Sequence, residues 1–381
     1  MKPERHPAPR RLFSRLDRLH ADTRAARESA RGSHMKGVPS LVSMALVLAS
    51  SAASAIAAGV PVYTRTMEID GTTVSYREAG TDRQDPGEPV IVLLHGFPTS
   101  SHMFRDFIPL LADEYRVIAP DYPGYGLSDA PPAEEFEYTF DAIAGMLEEL
   151  LDTVGAEQWV LYLQDYGAPV GFRLAMEHPE RVAGLIIQNG NAYEEGLPDE
   201  FWGPWREFWS NPNDQEAIGY LASLLTLEST KWQFTNGARS PEAISPDNWL
   251  VVQPLLDRPG NAHIQLELAY DYGSNLGRYP QWQAYLREEQ PPTIITWGRH
   301  DEIFPPSGAL AYLRDLPHAE LHLLDTGHFA LEEDADLIAM LVRRWLEREV
   351  AGGAAASHSS PAKSAERSPA LSQASGAESA R

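Results

Sequence analysis

Apolar positions along the chain alternate between short continuous runs and longer stretches of helical spacing. The continuous runs, which are typical of buried parallel strands, occupy 72–77, 90–94, 115–119, 159–163, 182–188, 293–297 and 321–324. Helical spacing marks 140–154, 169–176 and 335–350. Strands that alternate with helices predict an α/β fold with a mostly parallel, doubly wound sheet.

One segment interrupts this alternation. Between 191 and 290 there is no clear strand-like run, and aromatic side chains are crowded there: Trp202, Trp205, Trp209, Tyr220, Trp232, Trp249, Tyr270 and Tyr272. Many aromatics on irregular helices suit a lid over an apolar pocket, so we expect 191–290 to be a helical cap inserted into the sheet. The core is then divided into 58–190 and 291–350. The plain alternative is a separate second domain.

Both ends of the chain differ from this body. Residues 37–64 carry no charge, and Ala55-Ile56-Ala57 has the small side chains that precede a signal-peptidase cleavage site. We therefore expect 1–57 to be an N-terminal extension with a signal peptide, and the mature protein to be periplasmic or extracellular. An uncleaved membrane anchor would need a longer apolar run. Residues 351–381 are rich in Ala and Ser and predict a disordered tail.

Charge and composition exclude several classes of function. The 31 basic and 54 acidic residues give a formal net charge of −23, which repels phosphate backbones and makes nucleic acid an unfavourable partner. The chain has no cysteine, which excludes disulfides, cysteine-ligated zinc and a thiol nucleophile.

The side chains that could take part in catalysis follow the predicted strands. Phe97 comes just after the strand that stops at His-Gly, and Asp165 stands between a strand and a helix in a tight elbow that needs Gly167. Asp301 and His328 follow the last two predicted strands. Because ligands of open α/β sheets bind at the carboxyl ends of the strands, these residues are candidates for one site.

Each candidate also has a structural interpretation. Asp165 can be a hydrogen-bonded carboxylate at a strand end, although a strained elbow is rarely kept for that purpose. Asp301 can be the N-cap of the next segment, and Glu194 and Glu195 compete with it as the acid that orients the histidine. His95 is expected to be structural, because only one histidine is required as a base.

Residues 63–350 resemble the α/β-hydrolases, in the subgroup with an aspartate nucleophile that includes epoxide hydrolases and haloalkane dehalogenases. The resemblance rests on 95–98, on the hairpin 121–128, and on Asp165, Asp301 and His328 in the order nucleophile, acid, histidine. It implies an α/β-hydrolase fold and these three residues as the catalytic triad.

An aspartate at the elbow suits displacement at an sp³ carbon, because a carboxylate is already ionised at neutral pH. We expect Asp165 to form an alkyl-enzyme ester and His328, oriented by Asp301, to activate the water that hydrolyses it. The backbone N–H groups of Phe97 and Tyr166 are the expected oxyanion hole. Attack on an ester would give a mixed anhydride, so esterase activity is disfavoured. This chemistry needs no cofactor or metal, only a small apolar substrate.

The leaving group divides the subgroup. Dehalogenases that resemble this chain carry Trp where Tyr166 stands and Asn or Glu where Phe97 stands, so a side-chain N–H for a halide is missing. In epoxide hydrolases, cap tyrosines protonate the alkoxide. Tyr272 matches one of these positions, although Gly273 replaces the usual Arg, and Tyr220 is the candidate for its partner.

The sequence therefore favours epoxide hydrolysis. Haloalkane dehalogenation by the same two steps is the first alternative, since Trp202 or Trp205 of the cap can supply an N–H to a halide. A catalytically silent binder of a small apolar ligand is the second, and it predicts a broken triad.

Overall fold

A computed structural model describes residues 59–84 and 87–351. The predicted signal peptide within 1–57 lies outside the described residues, as does the predicted tail apart from residue 351. Export and cleavage therefore stay predictions. Within the described ranges, no helix is long and apolar enough to cross a membrane.

Eight strands form one sheet: β1 (Tyr63–Ile69), β2 (Thr72–Ala79), β3 (Val90–Leu94), β4 (Val117–Pro120), β5 (Trp159–Gln164), β6 (Val182–Gln188), β7 (Thr293–Gly298) and β8 (Glu320–Leu324). Their spatial order is β1-β2-β4-β3-β5-β6-β7-β8. The pairs β1–β2 and β2–β4 are antiparallel, and every other neighbouring pair is parallel. This arrangement confirms the predicted mostly parallel α/β sheet.

The α-helices are α1 (Phe140–Thr153), α2 (Gly167–Glu177), α3 (Asp199–Ser210), α4 (Gln215–Ser223), α5 (Leu227–Thr235), α6 (Asp247–Leu256), α7 (Asn261–Leu276), α8 (Tyr279–Glu289), α9 (Pro306–Tyr312) and α10 (Leu331–Trp345). Helices α3 to α8 all lie between β6 and β7, where every residue is described and none is in a strand. The last of them packs back onto the core, because Trp282 of α8 stacks on Phe172 of α2 at 5.1 Å between ring centroids.

Strand β1 was not predicted from the sequence. It lies at one edge of the sheet and most of its side chains are exposed. Its residues therefore lack the apolar run that marks the central strands, such as β3 and β5, in which every residue is buried. An edge strand of this kind is defined by its hydrogen bonds to β2 rather than by hydrophobic pattern.

The parallel strands bring the candidate residues to one edge of the sheet. Phe97 follows β3, Asp165 follows β5, Asp301 follows β7 and His328 follows β8. Because β3, β5, β6, β7 and β8 run in the same direction, their carboxyl ends share that edge.

Polar contacts hold helix α7 of the cap against the core at the same edge. The Asp271 carboxylate accepts a hydrogen bond from the backbone N–H of Phe140, at the start of α1, at 2.8 Å. Buried Arg173 of α2 donates to the side-chain oxygen of Asn275 at 2.8 Å and pairs with Asp141. These contacts fix the part of α7 that carries Tyr272.

Candidate active site

Asp165 occupies a tight turn between β5 and α2. Its backbone is left-handed, with φ of 48°, which is an unfavourable conformation for a residue with a side chain. Two glycines make the turn possible: a Cβ at Gly167 would collide with the backbone of Leu94, and one at Gly96 would collide with Asp165 itself. The strained conformation is therefore imposed by close packing of the β3 and β5 strand ends.

Two backbone groups hold the Asp165 carboxylate. The N–H of Phe97 donates to its Oδ1 at 2.6 Å, and the N–H of Tyr166 donates to it as well. Burial raises the pKa of Asp165 to about 6, against the opposing effects of the His328 charge and the two N–H groups. The carboxylate is thus ionised above about pH 6 and is held by the donors predicted as the oxyanion hole.

His328 lies between two carboxylates. Its Nδ1 is 2.8 Å from Oδ2 of Asp301, and its Nε2 is 3.9 Å from Oδ2 of Asp165. Burial lowers the pKa of His328, but the charge and hydrogen bond of Asp301 and the charge of Asp165 outweigh burial, so the pKa is raised. The ring is therefore oriented with Nδ1 toward Asp301 and Nε2 toward the elbow.

Asp301 combines the two roles considered from the sequence. Its Oδ1 accepts the backbone N–H groups of Ile303 and Phe304, and its Oδ2 accepts the side-chain N–H of Asn189 at 2.7 Å besides contacting His328. The turn contacts fix the carboxylate that orients the imidazole.

The competing acids, Glu194 and Glu195, pair instead with Arg206 and Arg314 on the surface.

His95 has the contacts of a structural residue. Its Nε2 accepts the backbone N–H of Tyr122 at 3.3 Å, and complete burial lowers its pKa to about 3.

Of the two candidate cap tyrosines, only Tyr272 packs on the elbow, with its ring 5.5 Å from that of Tyr166. It is buried, and its pKa is raised well above the usual value by burial first and then by the neighbouring Tyr279 and the charge of Asp165. Its hydroxyl shares a hydrogen bond with that of Tyr279, which also accepts from Asn191 at 3.2 Å. Tyr272 is therefore protonated at rest and supported by a second phenol.

Tyr220 is directed elsewhere. Its hydroxyl donates to the backbone carbonyl of Phe201 at 3.3 Å, and burial alone raises its pKa. The expectation that Tyr220 partners Tyr272 is not supported by this geometry, because Tyr220 bonds a carbonyl within the cap and the phenol that bonds Tyr272 is Tyr279.

Three polar residues that were not among the sequence-predicted site residues lie near Asp165. Tyr122 and Tyr125 lie in the hairpin after β4; burial raises the pKa of each, and the charge of Asp165 raises it further. The third is Gln164, whose side-chain Nε2 lies 3.0 Å from Nε2 of His328. Its place beside Asp165 was visible in the sequence, but only the meeting of β5 with the loop after β8 brings it to the histidine.

The two cap tryptophans considered as halide donors differ. The indole N–H of Trp202 donates to the backbone carbonyl of Ile303 at 2.8 Å. The indole N–H of Trp205 is buried and has no hydrogen-bond partner, and its ring lies 6.0 Å from that of Tyr272. Trp205 is thus the one of these two with an unused donor next to the site.

No group of three or more His, Asp or Glu side chains in residues 59–84 and 87–351 is arranged to hold a metal ion.

The family model described as alpha/beta hydrolase fold matches residues 89–335. The chain belongs to the α/β-hydrolase fold family. It is 44% identical to the uncharacterised hydrolase YNR064C of Saccharomyces cerevisiae, over 71% of this chain and 92% of that protein. The cis-3-alkyl-4-alkyloxetan-2-one decarboxylase of Shewanella oneidensis is 28% identical over 68% of this chain and 82% of its own. Haloalkane dehalogenase 2 of Mycobacterium tuberculosis is 27% identical over 74% of this chain and 94% of its own.

Solved structures share the fold of this hydrolase. Haloalkane dehalogenase DbeA of Bradyrhizobium elkani aligns with a TM-score of 0.61 and 24% identity over 78% of this chain and 100% of that one. The epoxide hydrolase CorEH aligns with a TM-score of 0.60 and 21% identity over 76% of this chain and 99% of that one.

Proposed function

We propose that this α/β-hydrolase opens small apolar epoxides to diols through an ester of Asp165. The observation that carries the proposal is the carboxylate itself, held on a strained elbow by two backbone donors with the ring of His328 beside it. Buried Tyr272, whose pKa responds to the Asp165 charge, supplies the proton that an alkoxide needs.

In the first step an oxygen of Asp165 attacks a ring carbon of the epoxide. The new C–O bond forms as the ring C–O bond breaks, and the electron pair of the broken bond goes to the epoxide oxygen. That oxygen takes the proton of Tyr272, leaving a phenolate that accepts a hydrogen bond from the hydroxyl of Tyr279. Formation of the ester removes the Asp165 charge, which was one cause of the raised pKa of Tyr272. The acid therefore becomes stronger as its proton is transferred.

In the second step His328 removes a proton from water, and the oxygen of the resulting hydroxide adds to the ester carbonyl carbon. The carbonyl electron pair moves to an oxygen held by the N–H groups of Phe97 and Tyr166. Collapse expels the diol oxygen, which takes the proton from His328. The remaining carboxylic proton returns to the Tyr272 phenolate, so the enzyme is restored.

Separation of the two steps tests the proposal. With styrene oxide as substrate, His328→Gln should be alkylated but not hydrolysed, and intact-protein mass spectrometry should show one substrate mass on the peptide containing Asp165. Asp165→Asn should show neither adduct nor diol. Diol formation by Asp165→Asn would remove Asp165 from the nucleophile role, and the absence of both diol and adduct from wild type and His328→Gln would favour a non-catalytic binder.

Haloalkane dehalogenation is a second candidate because the Trp205 N–H lacks a partner. A halide leaves without a proton, so this reaction needs a donor rather than an acid. Yet Phe97 and Tyr166 offer only backbone N–H groups near Asp165, and both already bind its carboxylate. We therefore expect little halide release from 1-bromobutane compared with diol formation from styrene oxide. The reverse ratio would establish the dehalogenase assignment instead.

A further inference from the structure

Gln164 is the last residue of β5 and the immediate neighbour of Asp165. It is completely buried. Its Nε2 lies 3.0 Å from Nε2 of His328, whereas the nearest carboxylate oxygen of Asp165 is 3.9 Å from the same ring nitrogen. The amide of Gln164, rather than Asp165, is therefore the hydrogen-bond partner of the ring nitrogen that has to act as the base.

The other end of the same amide has no partner. Its Oε1 is buried without a hydrogen bond and faces Gly96, where a Cβ would stand 2.6 Å from it. Rotation of the amide by 180° would exchange the oxygen and the nitrogen, so that the oxygen would face the ring. The state of the His328 ring therefore decides which end of the amide faces it.

The two protonation states of His328 require opposite partners. The Nδ1–H is given to Asp301, so the neutral ring has a lone pair on Nε2 and accepts an amide N–H. The imidazolium carries a proton on Nε2 and needs an acceptor, which the amide oxygen provides. A glutamine can satisfy both states from one position, and Leu or Glu cannot.

We propose that Gln164 is a positioning residue for His328: its amide donates to Nε2 of the neutral ring and rotates to accept from the protonated ring during ester hydrolysis. The inference rests on the proposed function. Rotation releases the Nε2 lone pair to water, and the oxygen then faces the proton that water has given to the ring. The titratable groups whose charges act on His328 are Asp301 and Asp165, and Asp165 is neutral while it is an ester.

Single-turnover kinetics provide the first test. In Gln164→Leu the alkylation rate should stay within about threefold of wild type, while hydrolysis of the adduct slows about ten- to a hundredfold, because one hydrogen bond to a charged group is lost. A structural role would slow both steps together. Adduct hydrolysis within about threefold of wild type would overturn the proposal.

A second test needs no substrate. Nitrogen-15 NMR measures the ring nitrogen resonances of His328. They are assigned as the signals that are missing from the spectrum of His328→Gln. Gln164→Leu should move the Nε2 resonance of the neutral ring, and Gln164→Glu should raise the pKa of His328 by about one unit or more, because a carboxylate favours the imidazolium. An unchanged His328 pKa in Gln164→Glu would overturn the proposal even if Gln164→Leu did not fold.

Gln188 offers a matched control. It ends the neighbouring strand β6, is equally buried, and donates to the backbone carbonyl of His328 at 2.9 Å rather than to the ring. Gln188→Leu should lower stability without changing the Nε2 resonance. If neither wild type nor His328→Gln forms an adduct, the proposed function fails, and the NMR measurements still decide whether Gln164 controls His328.

Discussion

At the scale of single residues, the charge of Asp165 links the proposed acid, Tyr272, and the proposed base, His328. It contributes to the raised pKa of His328 and to the raised pKa of Tyr272. In the proposed reaction, conversion of Asp165 to a neutral ester therefore lowers both pKa values. A lower pKa makes Tyr272 a better acid in the first step and favours the neutral, basic form of His328 in the second.

The pH dependence of alkylation should report the titration of Asp165. The reactive form is the carboxylate, so the wild-type alkylation rate should be lost as the pH falls through about 6, the raised pKa of this group. In His328→Gln this limb should move to higher pH, because the histidine charge that lowers the pKa of Asp165 is gone. Rapid quench with styrene oxide measures both. A rate that is constant from about pH 5 to 7 would contradict the assignment.

Gly96 is required by contact rather than by backbone conformation. A methyl group there would collide with the side chains of Asp165 and Gln164. Gly96→Ala should therefore reduce kcat for styrene oxide about a hundredfold or more by displacing the nucleophile, even in a folded protein.

The control for this variant is Gly145→Ala in α1, where the added methyl meets nothing within 4 Å. That variant should keep activity and gain about 1 kcal/mol of unfolding free energy, because alanine is the better helix former. Equal kcat values for both variants would show that the elbow tolerates displacement.

At the scale of elements, two cap helices cover the site with rings. Tyr272 of α7 stacks on Trp202 of α3 at 4.9 Å between ring centroids. Its ring also contacts that of Tyr166 in the elbow, at 5.5 Å between centroids. Helix α7 is itself fixed by the hydrogen bond between Asp271 and the start of α1. The position of the proposed acid thus depends on how the cap is attached to the core.

Trp205 of α3 allows the two candidate reactions to be separated within one helix. Trp205→Phe keeps the aromatic packing and removes the unpartnered N–H. We expect diol formation from styrene oxide to stay within about threefold of wild type, and any halide release from 1-bromobutane to fall about tenfold or more. Tyr272→Phe should have the opposite selectivity. If Trp205→Phe lowered diol formation and left halide release unchanged, the Trp205 indole would belong to the epoxide reaction instead.

At the scale of the whole molecule, the formal net charge of −23 selects among substrates. A negative surface lowers the local concentration of anions and leaves neutral molecules unaffected. We expect kcat/KM for phenyl glycidyl ether to exceed that for its 4-carboxy derivative at low salt. The ratio should decrease as NaCl rises to about 0.5 M, because screening shortens the range of the repulsion.

The neutral ether is its own control in this experiment, since its kcat/KM should be independent of salt. A preference for the carboxylated substrate at low salt would mean that a local positive site dominates the overall field.

The fold class and the order of the candidate residues along the chain were recognisable from local sequence patterns. Central strands such as β3 and β6 are fully or largely apolar, so their runs were recognisable, and Asp165, Asp301 and His328 each follow a strand directly. Local patterns of this kind depend on neighbours in the chain. Edge strand β1 was not predicted, because most of its side chains are exposed and it has no apolar run.

The way side chains from distant segments meet depends on three-dimensional packing and was not predictable from the sequence. The contact of Tyr272 with Tyr166 of the elbow, and the hydrogen bond of Tyr220 to a cap carbonyl, depend on the packing of α3, α4 and α7, which no local spacing encodes. The unpartnered N–H of Trp205 and the contact of Gln164 with His328, 164 positions away in the chain, have the same origin. Hydrogen bonds act over about 3 Å in space, so the partners of a buried polar group are fixed by the fold rather than by distance along the sequence.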